Sequence, residues 1–140
     1  MSFKFSKRSL DNLKGVDPLL VLLVTKALDL GIMDFSVTRG VGTPEEQQKF
    51  IDSGTSLTLN SKYLIQSDGY SHAVDLYPYP IDMKKVNGHD AQEIAKFGVL
   101  AGIIKTLAKD MGIDIVWGGD WKSFFDAPHF EIVKGEVLNE

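Results

Sequence analysis

The sequence contains no cysteine, which removes disulfides, thiolate nucleophiles, thiolate zinc sites and iron–sulfur clusters together. Any metal would have to be held by histidine, carboxylate or water. An excess of basic residues is also missing: 15 Lys and Arg against 19 Asp and Glu give a net charge of −4. With the cations scattered, there is no stripe of the kind a phosphate backbone demands, so nucleic acid is not an expected partner. Long apolar runs are absent too. The run from Pro18 to Val24 is far shorter than the roughly 20 residues that cross a bilayer, and Met1 to Leu10 lacks the apolar core of a secretory signal. No membrane insertion is expected, and the protein should stay in the cytoplasm where it is made until something releases it. Without a repeat, linker or low-complexity segment, the 140 residues predict one domain over 1–140, a monomer, large enough to bury roughly 70% of the surface of its unfolded form.

What is present is a regular set of start and stop signals. Asp17 before Pro18 opens a helix, because the carboxylate accepts from free first-turn amides and proline needs no donor there. Leu19, Leu20, Leu23, Val24 and Leu28 give it an apolar face, and Gly31 closes it. Asp34 to Thr38 reads as a strand. Thr43, Pro44 and Glu46 form a capping box for a second helix that Gly54 ends. Asn60 to Tyr70 reads as a loop, and Ser71 to Tyr79 as a strand that Pro78 terminates. Asp90 and Glu93 start the longest helix, with Ile94, Phe97, Ala101, Ile104, Leu107, Ala108 and Met111 inward and Gly112 as its stop. Ile113 to Trp117 and His129 to Val133 are further strands, separated by the turn Gly118 to Phe125. The fold class is α+β: a small domain with a short antiparallel sheet packed against three helices.

Three histidines exist, His72, His89 and His129. His89 beside Asp90 reads as an exposed residue at a helix start. Asp75 lies in the otherwise apolar segment His72-Ala73-Val74-Asp75-Leu76. A buried Asp there must bind a cation or collect hydrogen bonds, and capping of a nearby turn accounts for it equally well. In Asp126-Ala127-Pro128-His129, an imidazole could hold a metal while the carboxylate handles a water proton, although the same spacing also suits a structural hydrogen-bonded pair.

Taken together and in order, SKRSLDNLKGV (6–16), DFSVT with RGVGT (34–43), NSKYL (60–64), HAVDL (72–76), WGGDW (117–121) and DAPHFE (126–131) resemble the L-alanyl-D-glutamate endopeptidase endolysins of tailed phages. These are members of the D-alanyl-D-alanine peptidase superfamily. The resemblance implies hydrolysis of peptidoglycan stem peptides at the L-alanyl-D-glutamate bond, with lysis of the bacterial wall, and one zinc ion on the sheet. It implies Asp75 and His129 as metal ligands, Asp126 as the base, and a structural WGGDW motif in which Trp117 and Trp121 floor the site.

Two positions depart from the pattern. Tyr63 stands where the family has its first histidine ligand, and Gly42 where it has an arginine that would hold the substrate carbonyl or oxyanion. Tyrosine rarely binds zinc because its phenol must lose a proton of pKa about 10. His72, in a strand and three residues from Asp75, should point to the opposite face. Asp68 is a second substitute by spacing, and Arg39 could replace the missing cation only if the turn after it is irregular. An impaired relative that keeps the fold and a peptide groove is therefore the alternative, and a carboxypeptidase of the same superfamily is a third.

Overall fold

A computed structural model of the chain describes residues 3–52, 61–122 and 125–134. The first helix, α1 (Lys7–Leu13), is capped by Ser6, whose side chain accepts from the Ser9 amide. Its role is to cover an edge. The Ser9 hydroxyl accepts from the Val37 amide at 3.0 Å and Asn12 Nδ2 donates to the Val37 carbonyl at 2.9 Å, so the outer rim of strand β1 (Phe35–Arg39) is satisfied rather than left open to another chain. Helix α2 (Pro18–Asp29) begins as the sequence predicts, with Asp17 accepting from Leu19 N. It buries Leu20, Leu23, Val24, Ala27 and Leu28.

Helix α3 (Pro44–Asp52) carries the expected capping box in both directions. Thr43 N donates to Glu46 Oε1 at 3.0 Å, and Glu46 N to Thr43 Oγ1 at 3.1 Å. The expected stop at Gly54 lies outside the described residues. Strand β2 (Ala73–Pro78) is followed by α4 (Met83–Asn87), started by Asp82, and by α5 (Ala91–Met111), started by Asp90 and ended by Gly112 in the left-handed conformation. Strands β3 (Asp114–Trp117) and β4 (His129–Val133) complete the sheet.

The sheet has four strands in the order β1-β2-β4-β3, every pair antiparallel. The α+β class holds, but α1 and α4 join the three expected helices. Both are short, and their apolar spacing is too brief to register as a period.

Helix α5 packs its inner face on the sheet. Phe97, Leu100, Ala101, Ile104 and Ala108 are buried, whereas Leu107 is only partly so; Leu100 takes the inward place expected of Leu107. Phe130 from β4, and Val74 and Leu76 from β2, meet this face in the main core. No helix among the described residues is long and apolar enough to cross a membrane.

Candidate active site at the head of the sheet

Strand register brings three ionisable side chains into one row. Asp75 on β2 lies directly opposite Arg39 on β1 and His129 on β4. Directly opposed residues share a face of the sheet with Cβ atoms about 5 Å apart, so a cation, a carboxylate and an imidazole line up across three strands. Arg39 enters this row through a register shift between Val37 and Arg39, an irregularity in the strand before it rather than in the turn after it. Its guanidinium carbon lies 3.7 Å from the centre of the Tyr63 ring, a cation–π contact.

Tyr63 comes down onto the row from the segment before β2. Its amide donates to Ser61 Oγ at 3.2 Å, its carbonyl accepts from Gly42 N at 2.9 Å, and the neighbouring Lys62 carbonyl accepts from His72 N at 2.8 Å. So held, the buried phenol hydrogen-bonds Asp75 Oδ1 and stands 2.7 Å from His129 Nδ1. Burial, and then the negative charge of Asp75, hold the Tyr63 pKa well above the ordinary tyrosine value. The group is a neutral phenol with one proton to give. An ionised Asp75 can only accept, so that proton goes to Asp75.

Gly42 lies close to both Arg39 and Tyr63. A Cβ there would lie 3.2 Å from Arg39 Nη2 and 3.2 Å from Tyr63 Cβ. The space beside Gly42 is thus already taken by the Arg39 guanidinium and the tyrosine.

On the far side, His129 Nε2 pairs with Glu131 Oε1 at 2.7 Å, and the Trp121 ring lies 4.8 Å from the imidazole, centre to centre. Trp117 stacks on Phe130 at 6.4 Å and donates from Nε1 to the Ala127 carbonyl at 2.7 Å, so both tryptophans brace the segment that carries Asp126. The Asp126 amide donates to the Gly118 carbonyl at 3.1 Å, and the Asp126 carbonyl accepts from His129 N at 3.2 Å. Gly118 must be glycine, because a Cβ would collide with the Asp126 carbonyl oxygen. Burial, and then the Asp75 charge, push the Asp126 carboxyl up to about 6, against the opposing pull of His129 and Arg39. Burial also raises Asp75, although the Tyr63 hydrogen bond and the Arg39 and His129 charges oppose it.

The structure therefore gathers Arg39, Gly42, Tyr63, Asp75, Asp126 and His129 at one end of the sheet. It sends His72 and Asp68 elsewhere: they bond each other, Nε2 to Oδ2, at 2.8 Å. His89 is exposed, beside the Asp90 cap. Glu131 was overlooked as a partner, although strand alternation puts it on the same face as His129. Among the described residues, Asp17, Asp68 and His72 also form a group able to hold a metal ion.

The chain is similar to known proteins over nearly its whole length. Residues 1–133 match the family model for phage L-alanyl-D-glutamate peptidases. The L-alanyl-D-glutamate peptidase of Escherichia phage T5 is 31% identical over 136 residues, covering 96% of this chain and 93% of that protein. The crystal structure of the Serratia marcescens L-Ala D-Glu endopeptidase ChiX superposes with a TM-score of 0.76 at 32% identity, covering 94% of this chain and 91% of that one. The chain belongs to the phage L-alanyl-D-glutamate peptidase family.

Proposed function

We propose that this chain, acting as one domain, is directed at peptidoglycan stem peptides and is built to hydrolyse the L-alanyl-D-glutamate bond. The observation that carries the reading is the convergence of Asp75, His129 and Asp126 at the head of the sheet, in a chain matched to the family over residues 1–133. Asp126 is the proposed base. Its carboxylate takes a proton from the attacking water and returns it to the departing amine of D-glutamate. Arg39, fixed over Tyr63, supplies the positive charge toward the substrate carbonyl or the developing oxyanion, the role the resemblance gives to the Gly42 position.

The zinc that the resemblance implies requires three protein donors and an open position for water. Asp75 and His129 supply two. The third place holds the Tyr63 phenol, which stays protonated and engages both of the others. The residues present do not fit a hydrolytic zinc site. This favours a second reading, a relative that holds the stem peptide in the same groove with little turnover.

Incubation of the purified protein with purified peptidoglycan separates the two. Hydrolysis at the expected bond frees the amino group of D-glutamate and the carboxyl of L-alanine. Mass spectrometry should then find peptides beginning with D-glutamate, in amounts that Asp126→Asn abolishes. Co-sedimentation with the wall without such peptides supports the second reading; neither binding nor cleavage overturns both.

A further inference from the structure

Away from the active site, the group of Asp17, Asp68 and His72 has the composition and geometry of a cation site. One oxygen or nitrogen from each lies within 4.8 Å of the others. The three come from separate places in the chain. Asp17 caps α2, its Oδ1 accepting from Leu19 N at 2.8 Å, and its own amide donates to the Ser71 carbonyl at 2.9 Å. Asp68 sits at the turn before Ser71, its Oδ1 accepting from Tyr70 N at 3.1 Å. His72 is held by its backbone on both sides, to Lys62 and to Ile132.

Asp17 is the anomalous member. It is 0% exposed, and its Oδ2, which accepts no hydrogen bond among the described residues, is balanced only by an ion pair. What lies against that oxygen is the ammonium of Lys134, which also reaches Asp68 Oδ2 at 3.0 Å. The interior of the cluster is thus filled by a cation on a long side chain. That side chain is 39% exposed. Contact with Asp17 and Asp68 raises the Lys134 pKa. Burial pushes Asp68 up, but His72, Lys134 and the Tyr70 amide together bring it down to about 2.

We propose that Asp17, Asp68 and His72 form a divalent-cation site, suited to zinc, in which the Lys134 ammonium is a resident stand-in that the metal displaces. Two carboxylates and an imidazole suit zinc, whereas calcium and magnesium prefer oxygen alone. On binding, the ion takes the Nε2 lone pair of His72 in place of its bond to Asp68 and replaces Lys134 as the partner of the buried Asp17 oxygen. Because Asp68 and His72 flank the end of the segment that carries Tyr63, the ion would clamp that segment to the start of α2.

Calorimetric titration of the full chain with Zn2+, paired with thermal melts, tests this. Wild type should take up one ion, Asp68→Asn should lose it, and His129→Ala should keep it. Lys134→Met, with its competing cation gone, should melt lower than wild type without metal, recover with Zn2+, and bind the ion about tenfold more tightly. Failure of wild type to take up zinc, uptake indifferent to Asp68→Asn, or a Lys134→Met variant that zinc does not rescue overturns the site. Uptake lost in His129→Ala instead would place the ion at the head of the sheet. Each of these results leaves the peptidase reading to be decided by the wall-cleavage products.

Discussion

The Tyr63 hydroxyl lies 2.7 Å from Nδ1 of His129 while also bonding Asp75, so one neutral side chain links the two groups that face each other across β2 and β4. Its removal should be felt in the fold. Tyr63→Phe leaves a half-buried carboxylate and a buried imidazole without their shared partner, and should destabilise the protein by about 1–3 kcal/mol. Denaturant unfolding of the two proteins measures it. Equal midpoints would mean that water replaces the phenol at no cost.

The core makes a separate demand. Phe97 and Ile104 are 0% exposed, so alanine at either should cost about 2–5 kcal/mol. Leu107→Ala, at a partly buried position, should cost less than Leu100→Ala, at a fully buried one. The reverse order in thermal melts would show the face of α5 to be wrongly assigned.

Asp126 gives a pH dependence with a definite sign. Its folded-state pKa of about 6 exceeds the ordinary carboxylate value near 3.9, so between these values the folded protein binds more protons than the unfolded chain. Stability contributed by this group is fully present below about pH 4 and is lost as pH rises through about 6. The difference in unfolding free energy between wild type and Asp126→Asn should therefore shift against wild type over this window. A flat difference from pH 4 to 6.5 contradicts the raised pKa.

Gly42→Arg should not simply restore a missing cation. Its Cβ would crowd Arg39 Nη2 and Tyr63 Cβ, each 3.2 Å away, and would bring a second positive charge beside the first. We expect a loss of about 1–3 kcal/mol, recovered at least in part by Arg39→Gln in the same chain. A single Gly42→Arg variant as stable as wild type would show that the space is open.

The helix starts were legible in the sequence because their parts are local. Helix caps at Asp17, Thr43 and Asp90 depend on neighbours within a few residues, and the structure reproduces each. Asp75 and His129 stand out as polar residues in apolar strands, but their spacing left structural roles equally open, and only the resemblance gave them a place in the site. What escaped depends on distant pairing. Whether Arg39 could enter the site hinged on a register shift against β2, which no spacing reveals. Lys134 meets Asp17 and Asp68 only because β4 ends beside the start of α2. The short helices α1 and α4 are held by tertiary contacts, including the bonds of Ser9 and Asn12 to Val37, rather than by a period of their own.

The central claim, that the chain keeps the machinery of an L-alanyl-D-glutamate peptidase but has a phenol where a third metal donor belongs, is tested most directly by Tyr63→His. Wild type and variant should be compared on purified peptidoglycan with Zn2+ present, counting peptides that begin with D-glutamate by mass spectrometry. An imidazole at position 63 would complete a set of three donors with Asp75 and His129. The account predicts tighter zinc binding and faster release of those peptides by the variant. A variant no faster than wild type, or products cut at another bond, would contradict it.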